Sequence, residues 1–491
     1  MGVSKVIYNG DTLIDLTADT VAADKLLSGY TAHGADGEVI TGTATSGGGG
    51  GDTEPDHWVR PDGWPSYDNV RFSGTDELYM TYDTTDPDYS FISLGNTGSD
   101  GSNINVEIGT ISGGTFTAID TDSYAKANGY YKYLYGAGYP DYVVVRITPQ
   151  SGKKITSVPP PKDEISTKRS SGKHQMCLEI YAYLHNLNSE MSPGFRCMYN
   201  VRAVYLDVKT NSKGLSNSLS DMISLESAYI TSTDDMRVYC TFENDKNLKF
   251  VTLDMGIKGD CRNAFSGCKS IEKIDTSAWG DLSAVTNTGN MFSGCTALRE
   301  IDTSEWELSS VTSLANMFND CNNLISLDTS NWDLASATEL STLFQNCYNL
   351  TLSKASLDGM AVSSKVTKIT SVFYNCRRIR GLDLSEWDLS GVASTGNAVN
   401  TFRYMDNLNS LTLPATMKSI GSNCIANATV LKELHLLNTT PPSLSGTSSI
   451  GGPSDLKIYV PYSADHSVLN AYKTATNWSS LASKIFEEDA P

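Results

Sequence analysis

One pattern governs what this chain can fold into. Phe-x-x-Cys-x-x-Leu-x-x-Leu followed by Trp recurs through the second half of the sequence. The Phe/Cys pairs are Phe265/Cys268, Phe292/Cys295, Phe318/Cys321, Phe344/Cys347 and Phe373/Cys376, with cysteine intervals of 27, 26, 26 and 29 residues. Three positions after each Cys stand Ile271, Leu298, Leu324, Leu350 and Ile379. Six positions after stand Ile274, Ile301, Leu327 and Leu382, with Ser353 breaking the row. Eleven positions after stand Trp279, Trp306, Trp332 and Trp387, with Asp358 breaking it. A unit this short cannot hide its apolar ladder alone, so copies must stack, and a leucine-rich-repeat-like solenoid is predicted. Variants extend the array upstream (Leu219, Met222, Leu225; Phe242, Asp245, Leu248, Val251) and downstream (Phe402, Met405, Leu408, Leu411; Ile425, Ala428, Leu431, Leu434). Eight to nine coils at about 4.8 Å per strand predict a rod of roughly 40 Å.

Two stretches punctuate the rest. Five consecutive glycines, Gly47 to Gly51, read as a tether because glycine loses the most chain entropy on ordering. Pro159, Pro160 and Pro161 open a second break that ends in the basic, serine-rich run to Lys173. The expected division is an N-terminal module at 1–46, a linker at 47–54, an antiparallel β-sandwich at 55–158, a linker at 159–173, and the solenoid with its C-terminal cap at 174–491. The fold class is mostly β. In the first module, Lys5 to Tyr8 and Leu13 to Leu16 read as strands, Val21 to Leu27 as a helix, and Tyr30 to Gly42 as a hairpin. In the second, strands are expected at Leu78–Tyr82, Tyr89–Leu94, Ile104–Ile111, Thr115–Ala118, Tyr130–Tyr135 and Tyr142–Ile147.

Each repeated column admits two readings. The cysteines form an inward row of small soft hydrophobes, or they bridge neighbouring coils, whose equivalent Cα atoms lie about 5 Å apart. Asp275, Asp302, Asp328 and Asp383 cap turns as the chain leaves the strand, or they form an acidic ladder for cations. The tryptophans pack at the coil corner, or they stack on glycans.

Composition removes several functions. Lys and Arg number 37 against 56 Asp and Glu, a net charge of −19, so DNA, RNA and anionic lipid are disfavoured partners. No apolar run is long enough for a membrane span, and Met1 to Thr20 lacks the pattern of a conventional secretion signal. Histidine is scarce at 6 and no Cys-x-x-Cys occurs, so no metal site and no cofactor are expected. No nucleophile elbow or metalloprotease helix motif appears, so the chain is not expected to be an enzyme. A glycan-cleaving carboxylate pair would converge only in space and is the alternative left open.

The stretch Phe-x-x-Cys-x-x-Leu-x-x-Leu-Asp-x-Ser-x-Trp resembles the BspA-type leucine-rich repeat family over about 240–491. Ile458-Tyr459-Val460-Pro461 and Leu469 to Trp478 are similar to the cap that closes such arrays. The resemblance implies adhesion to cell surfaces or host proteins. Separately, Lys5 to Thr17, Ala22 to His33 and Gly37 to Thr43 resemble the opening of tail proteins from phages of Gram-positive bacteria. Trp58-Val59-Arg60-Pro61-Asp62-Gly63-Trp64-Pro65 is similar to modules in such proteins. That likeness implies a tail or baseplate receptor-binding protein. It would be assembled in the host cytoplasm, located in the virion tail, and joined to other tail proteins through residues 1–46. It also implies a homo-oligomer, trimeric by analogy, without membrane insertion and without nucleic acid.

The expected partner is a bacterial cell-surface receptor, glycan or protein. A bacterial BspA-like surface adhesin is the alternative reading, and a tail-associated depolymerase a further one. The residues expected to read the receptor are the exposed ones between the ladder leucines: Glu272, Lys273, Arg299, Glu300, Ile325 and Ser326. The basic cluster Arg377, Arg378 and Arg380 joins them, either gripping an anionic wall polymer or as a solvated patch. Tyr130, Tyr131, Tyr133 and Tyr135 either stack on sugars or fill the sandwich core.

Overall fold

Stacking of parallel rungs builds most of this protein, and the sequence period sets the rungs. In the computed structural model the described residues are 59–67, 70, 72, 74–85, 90–94, 104–124, 130–151, 154–155, 176–187, 191, 194–209, 214–360 and 362–490, with the backbones of four short strands between 5 and 41. Contacts divide the chain into two units, Met1–His57 and Trp58–Pro491.

In the first unit β1 (Lys5–Tyr8) pairs antiparallel with β2 (Asp11–Asp15), and β3 (Thr31–His33) with β4 (Val39–Thr41). These match the strands read from the sequence. The helix expected at 21–27, the glycine tether and the 159–173 linker lie outside the described residues.

The second unit begins with all six strands expected in 55–158: β5 (Glu77–Asp83), β6 (Phe91–Leu94), β7 (Ile104–Ser112), β8 (Thr115–Tyr124), β9 (Tyr130–Tyr133) and β10 (Tyr142–Pro149). β6 and β9 form an antiparallel ribbon, while β5, β10, β7 and β8 make an antiparallel sheet. That sheet does not stop where the sequence places a linker. β5 pairs antiparallel with β11 (Cys177–Leu184), and β12 (Ala203–Val208), β13 (Ser227–Thr231) and β14 (Phe250–Asp254) follow in parallel. The result is one eight-stranded sheet ordered β14-β13-β12-β11-β5-β10-β7-β8. One apolar core runs from Leu78 to Ile485. The physical reason is the edge: the first parallel rung would leave its backbone groups unpaired, and β5 covers them.

Beyond β14 the rungs shrink to a few residues, because each coil needs only one ladder residue to point inward. Lys273–Ile274 pairs with Glu300–Ile301, and Ser326 bridges Thr351. A wider parallel sheet resumes through Gly381–Asp383, Ser410–Leu413, Glu433–Leu436, Lys457–Val460 and Ile485–Glu487. The ladder therefore starts well before the repeat that is visible in sequence.

Every column predicted to face inward does so. The rings of Phe242, Phe265, Phe292, Phe318, Phe344, Phe373 and Phe402 stack with centroids 5.3, 5.6, 5.3, 6.1, 5.7 and 6.0 Å apart. Trp279, Trp306, Trp332 and Trp387 are buried, which settles their role as packing. All ten cysteines are free thiols, and nine are buried. Each repeat thiol donates to the carbonyl of the previous coil's Phe: Cys268 to Phe242 (3.0 Å), Cys295 to Phe265 (3.2 Å), Cys321 to Phe292 (3.2 Å), Cys347 to Phe318 (3.1 Å) and Cys376 to Phe344 (3.0 Å). A thiol is small enough for the core and gives a second donor to a carbonyl that already accepts within its own turn from the N–H three residues on (Cys268 to Phe265 at 3.1 Å, Cys295 to Phe292 at 3.0 Å).

The Phe sits at the apex of that corner. Residues two before it (Asn263, Asn290, Asn316, Thr342, Ser371, Asn400) and two after it (Asn244, Gly267, Gly294, Asp320, Asn346, Asn375, Tyr404) have positive φ. Asn, Asp and Gly dominate because they tolerate the left-handed region best.

Two irregular coils have physical explanations. In the coil of Phe344 the strand is one residue short, so Leu352 rather than Ser353 takes the ladder place beside Leu327. Ser353 instead caps the short helix Lys354–Gly359, its Oγ accepting from the Ser356 N–H at 3.0 Å. That helix replaces the missing Trp corner, and its Leu357 carbonyl accepts from the Trp387 indole N–H at 3.1 Å. In the coil of Phe242, Asp245 takes the cysteine place. One of its oxygens accepts from the Met222 N–H at 2.7 Å, and the other is buried without a partner. Burial pushes this carboxyl well above the ordinary range.

At the far end the helix Ser467–Thr474 and the turn after it lay Tyr472 and Trp478 over the last coils. Their hydroxyl and indole N–H donate to the carbonyls of Asn438 (3.1 Å) and Pro442 (2.8 Å). This is the closing cap that Leu469 to Trp478 led us to expect.

Asp245→Asn should raise stability at pH 7 by about 1–3 kcal/mol, since the orphaned oxygen becomes a donor. The native carboxyl titrates above its unfolded value of about 3.9, so the wild type loses stability as pH rises through that window. The gain should therefore shrink toward zero near pH 4 in urea melts; a gain independent of pH would contradict a buried, raised carboxyl. Alkylation of the native chain followed by mass measurement should modify no more than Cys197, and all ten thiols after unfolding.

Candidate functional site: the outward face of the ladder

Alternation along each rung sends the residues beside every ladder leucine outward. Two outward columns result. One runs Phe250, Lys273, Glu300, Ser326, Thr351, Gly381, Ser410, Glu433, Lys457. The other runs Tyr181, Tyr205, Tyr229, Thr252, Asp275, Asp302, Asp328, Ser353, Asp383, Thr412, His435, Tyr459, Phe486.

The Asp-Thr-Ser step that follows each ladder residue has a definite job. Asp275, Asp302, Asp328 and Asp383 each accept from the backbone N–H two residues on, at 3.0 Å in every case. The intervening Thr276 donates to the Asp302 carbonyl at 2.6 Å, and Thr303 to that of Asp328. The aspartate thus turns its own chain while the threonine clips the coil to the next. This supports turn capping over a cation ladder. Hydrogen bonds from the Ser277 and Ser304 N–H groups hold the Asp275 and Asp302 carboxyls below the usual range. Among the described residues no group of His, Cys, Asp or Glu is arranged to hold a metal ion.

A shallow groove of about 510 Å³ opens on this face, lined by Lys273, Asp275, Ser277, Glu300, Asp302 and Ser326 among others. It brings together Lys273, Glu300 and Ser326 of the residues expected from sequence. Glu272, Arg299 and Ile325 are exposed one step earlier in their rungs, where backbone bonds link them in a row (Arg299 to Glu272 at 2.8 Å, Ile325 to Arg299 at 3.2 Å). Arg380 holds the same place two coils on, its carbonyl accepting from Asn409 at 2.6 Å. Arg377 and Arg378 lie apart, on the turn after Cys376. Arg377 stands 5.2 Å over the Tyr348 ring and 3.5 Å from Asp406, so it already has an aromatic and an acidic neighbour. Tyr135 is exposed, whereas the side chains of Tyr130, Tyr131 and Tyr133 lie outside the described residues.

Sequence reasoning missed the aromatic ends of the second column. Tyr67 stacks on Tyr181 at 5.1 Å, Tyr181 on Tyr205 at 4.4 Å and Tyr205 on Tyr229 at 5.1 Å. His435 stacks on Tyr459 at 5.0 Å at the other end. The signal was present: Tyr181, Tyr205 and Tyr229 are spaced by 24 residues, as are His435 and Tyr459. The shorter period hid it beside the 26-residue cysteine repeat.

Comparison with known proteins agrees with this architecture. Residues 352–444 match the BspA type leucine-rich repeat region in 6 copies, and residues 259–387 match a Mycoplasma protein family of unknown function. The chain thus carries a BspA-type leucine-rich repeat region. Among solved structures, a leucine-rich repeat protein from Bacteroides ovatus is 17% identical, with 62% of this chain and 88% of that one covered and a TM-score of 0.26. The pneumococcal vaccine antigen PcpA is 14% identical, covering 68% and 90%, with a TM-score of 0.26. An internalin from Listeria monocytogenes is 15% identical, covering 60% and 82%, with a TM-score of 0.20. No curated protein matches the chain.

Asp302→Ala should lower stability by about 0.5–1 kcal/mol, discounted for exposure. The native carboxyl titrates below its unfolded value, so its contribution is present above about pH 4 and lost as pH falls through the folded value. The gap between wild type and variant should close in acid; a gap that persists at low pH would mean the carboxylate is not the capping species.

Proposed function

We propose that this protein is an adhesion scaffold that binds a bacterial surface receptor through the outward face of its ladder, and that residues 5–43 mount it on a phage tail. One observation carries the binding reading. The inward columns repeat Phe, Cys, Leu and Trp almost without change, while the outward column passes from a cation at Lys273 through an anion at Glu300 to hydroxyls at Ser326, Thr351 and Ser410 and a glycine at Gly381. A scaffold that must only stack has no use for a long, regular exposed face bearing a groove. The mounting reading rests on the likeness of Lys5 to Thr43 to tail-protein openings. Several copies per particle, three by analogy, would turn weak single contacts into firm attachment. The second reading, a bacterial surface adhesin, is favoured by the BspA-type match at 352–444. In either case the proposal is of a binder, not a hydrolase.

Labelled full-length protein should bind whole cells of a susceptible Gram-positive host saturably. Exchanging the charges of the groove (Lys273→Glu with Glu300→Lys) should weaken that binding, and host wall polysaccharide should keep its chain length after incubation. Shortened chains would replace the binder by a depolymerase. Mass spectrometry of purified virions should find the chain; its absence there, with its presence on a bacterial envelope, would select the adhesin.

A further inference from the structure

The outward aromatic stack ends abruptly. Within it each ring is covered by the next: Phe72 and Tyr205 both lie against Tyr181, at 4.9 and 4.4 Å, and Tyr205 carries Tyr229 at 5.1 Å with the planes 4° apart. Tyr229 is paired on its far side with Thr252, which offers a methyl and a hydroxyl where the ladder so far has placed a ring. Tyr229 accordingly keeps 36% of its surface exposed. Its hydroxyl leans toward Asp254, 3.4 Å from Oδ2. Across the Thr252 rung stands Asp275, and there the groove with Lys273, Glu300 and Asp302 begins.

We infer that the gap over Thr252 is a sugar-stacking subsite, taking one uncharged or amine-bearing pyranose unit of a surface glycan between Tyr229 and Asp275. This deepens the adhesion reading and rests on it. The occupant follows from what surrounds the gap. One wall is a flat aromatic face fixed by the stack behind it, which suits the C–H face of a pyranose. The rim offers acceptors, the carboxylates of Asp254 and Asp275, which suit hydroxyl or ammonium donors around such a ring. The local charges, Asp254, Asp275, Glu300 and Asp302 against Lys273, repel uronates and phosphates. An aromatic peptide side chain would satisfy the wall and leave the rim unanswered. The groove beyond gives the rest of the glycan a path along the ladder.

Saturation-transfer NMR and calorimetry on the full chain test this, with neutral oligosaccharides of glucose and N-acetylglucosamine, their glucosamine counterpart, and an oligoglucuronate as probes. The wild type should bind a neutral or amino-sugar probe and not the oligoglucuronate. Tyr229→Ala should weaken binding on the order of tenfold, Tyr229→Phe by less than about threefold. Thr252→Tyr, which extends the stack into the gap on a strand that favours tyrosine, should abolish binding while leaving the thermal melt in place. Equal binding by Thr252→Tyr and wild type, preference for the oligoglucuronate, or no binding of any probe overturns the subsite. Whole-cell binding separates the two levels: cells held equally by wild type and Thr252→Tyr remove this subsite and leave the adhesion reading standing. Wild type that holds neither cells nor sugar removes both.

Discussion

The structure depends on keeping successive coils in register, and two contacts do this at the Phe corners: a backbone bond from each Phe N–H to the next coil, and in five coils a thiol donating to the Phe carbonyl of the coil before it. The corner around each Phe is tight, with a left-handed residue on either side. Its carbonyls point along the solenoid axis rather than into a strand partner. From Phe242 to Phe373 each Phe carbonyl accepts from the N–H three residues on, and its second lone pair is left for a donor from the next coil. A hydroxyl at this place would satisfy it but carries a larger desolvation cost. A thiol is apolar enough to be buried at little cost and still a donor. Burial in turn pushes the Cys295 thiol up to about 12, so it stays protonated and keeps its hydrogen to donate. The phenylalanine rings stack because the backbone bonds hold the corners at one spacing, and Phe402 stacks on Phe373 with Met405 in the thiol's place. Tryptophan packs beside this column, with ring centroids 6.0 to 6.5 Å from the phenylalanines. Asp245 is informative as the exception: a carboxylate in the thiol's place leaves an oxygen unanswered in the core.

A stack of identical rungs has two open ends, and the chain closes them by different means. At the start, β5 turns its back on the parallel order and pairs antiparallel with β11, so the sheet passes into β10, β7 and β8 without a break. The outermost strand, β8, is twisted away by a register irregularity near Ile108 and Gly109. It carries Asp120 and Asp122, both bonded to Lys132, which discourages further strand addition. At the finish a helix lies across the last coils and hands two polar aromatic groups to their free carbonyls. The segment at 55–158 is thus the solenoid's lid as well as a module, which is why its core and the solenoid's core are one.

Most of this architecture was legible because the inward positions are under one strong constraint. Phe, Cys, Leu and Trp at fixed spacing announce stacking, and Asp-Thr-Ser announces a turn, each from a local rule. The six strands of 55–158 were equally plain from alternation and turn residues. What stayed hidden depends on partners far apart in sequence. No local signal says that β5 joins β11, since the proline and lysine run between them reads as a divider. The one-residue shortening before Leu352 looks in sequence like a failed repeat at Ser353, and only the Ser326–Thr351 bridge reveals the shift. The tyrosine ladder lay in a 24-residue period that becomes meaningful once β11, β12 and β13 are known to be adjacent. Of the expected receptor-reading residues, Lys273, Glu300 and Ser326 follow from alternation, while Glu272, Arg299 and Ile325 are exposed one step earlier, where each rung begins. The arginine cluster was grouped by sequence proximity; in the fold Arg377 and Arg378 stand on the turn after Cys376, and Arg380 begins the next rung.

This division of labour explains how such a scaffold can acquire a binding face. An outward residue on a short rung touches its rung neighbours and solvent, so changing it disturbs little of the core. That freedom allows lysine, glutamate, serine, threonine and glycine to follow one another in the same column. The aromatic column is the place where the outward face is not free. Each ring there is held by the one before it, and a stack of this kind stabilises itself only while it continues. Its termination at Thr252 leaves an apolar face beside Asp275, whose carboxylate its own turn orients, and Asp254, which accepts from the Tyr229 hydroxyl. For the sugar unit proposed there, a wall already held by the stack behind it lowers the entropic cost of binding, which is how a small exposed surface would contribute.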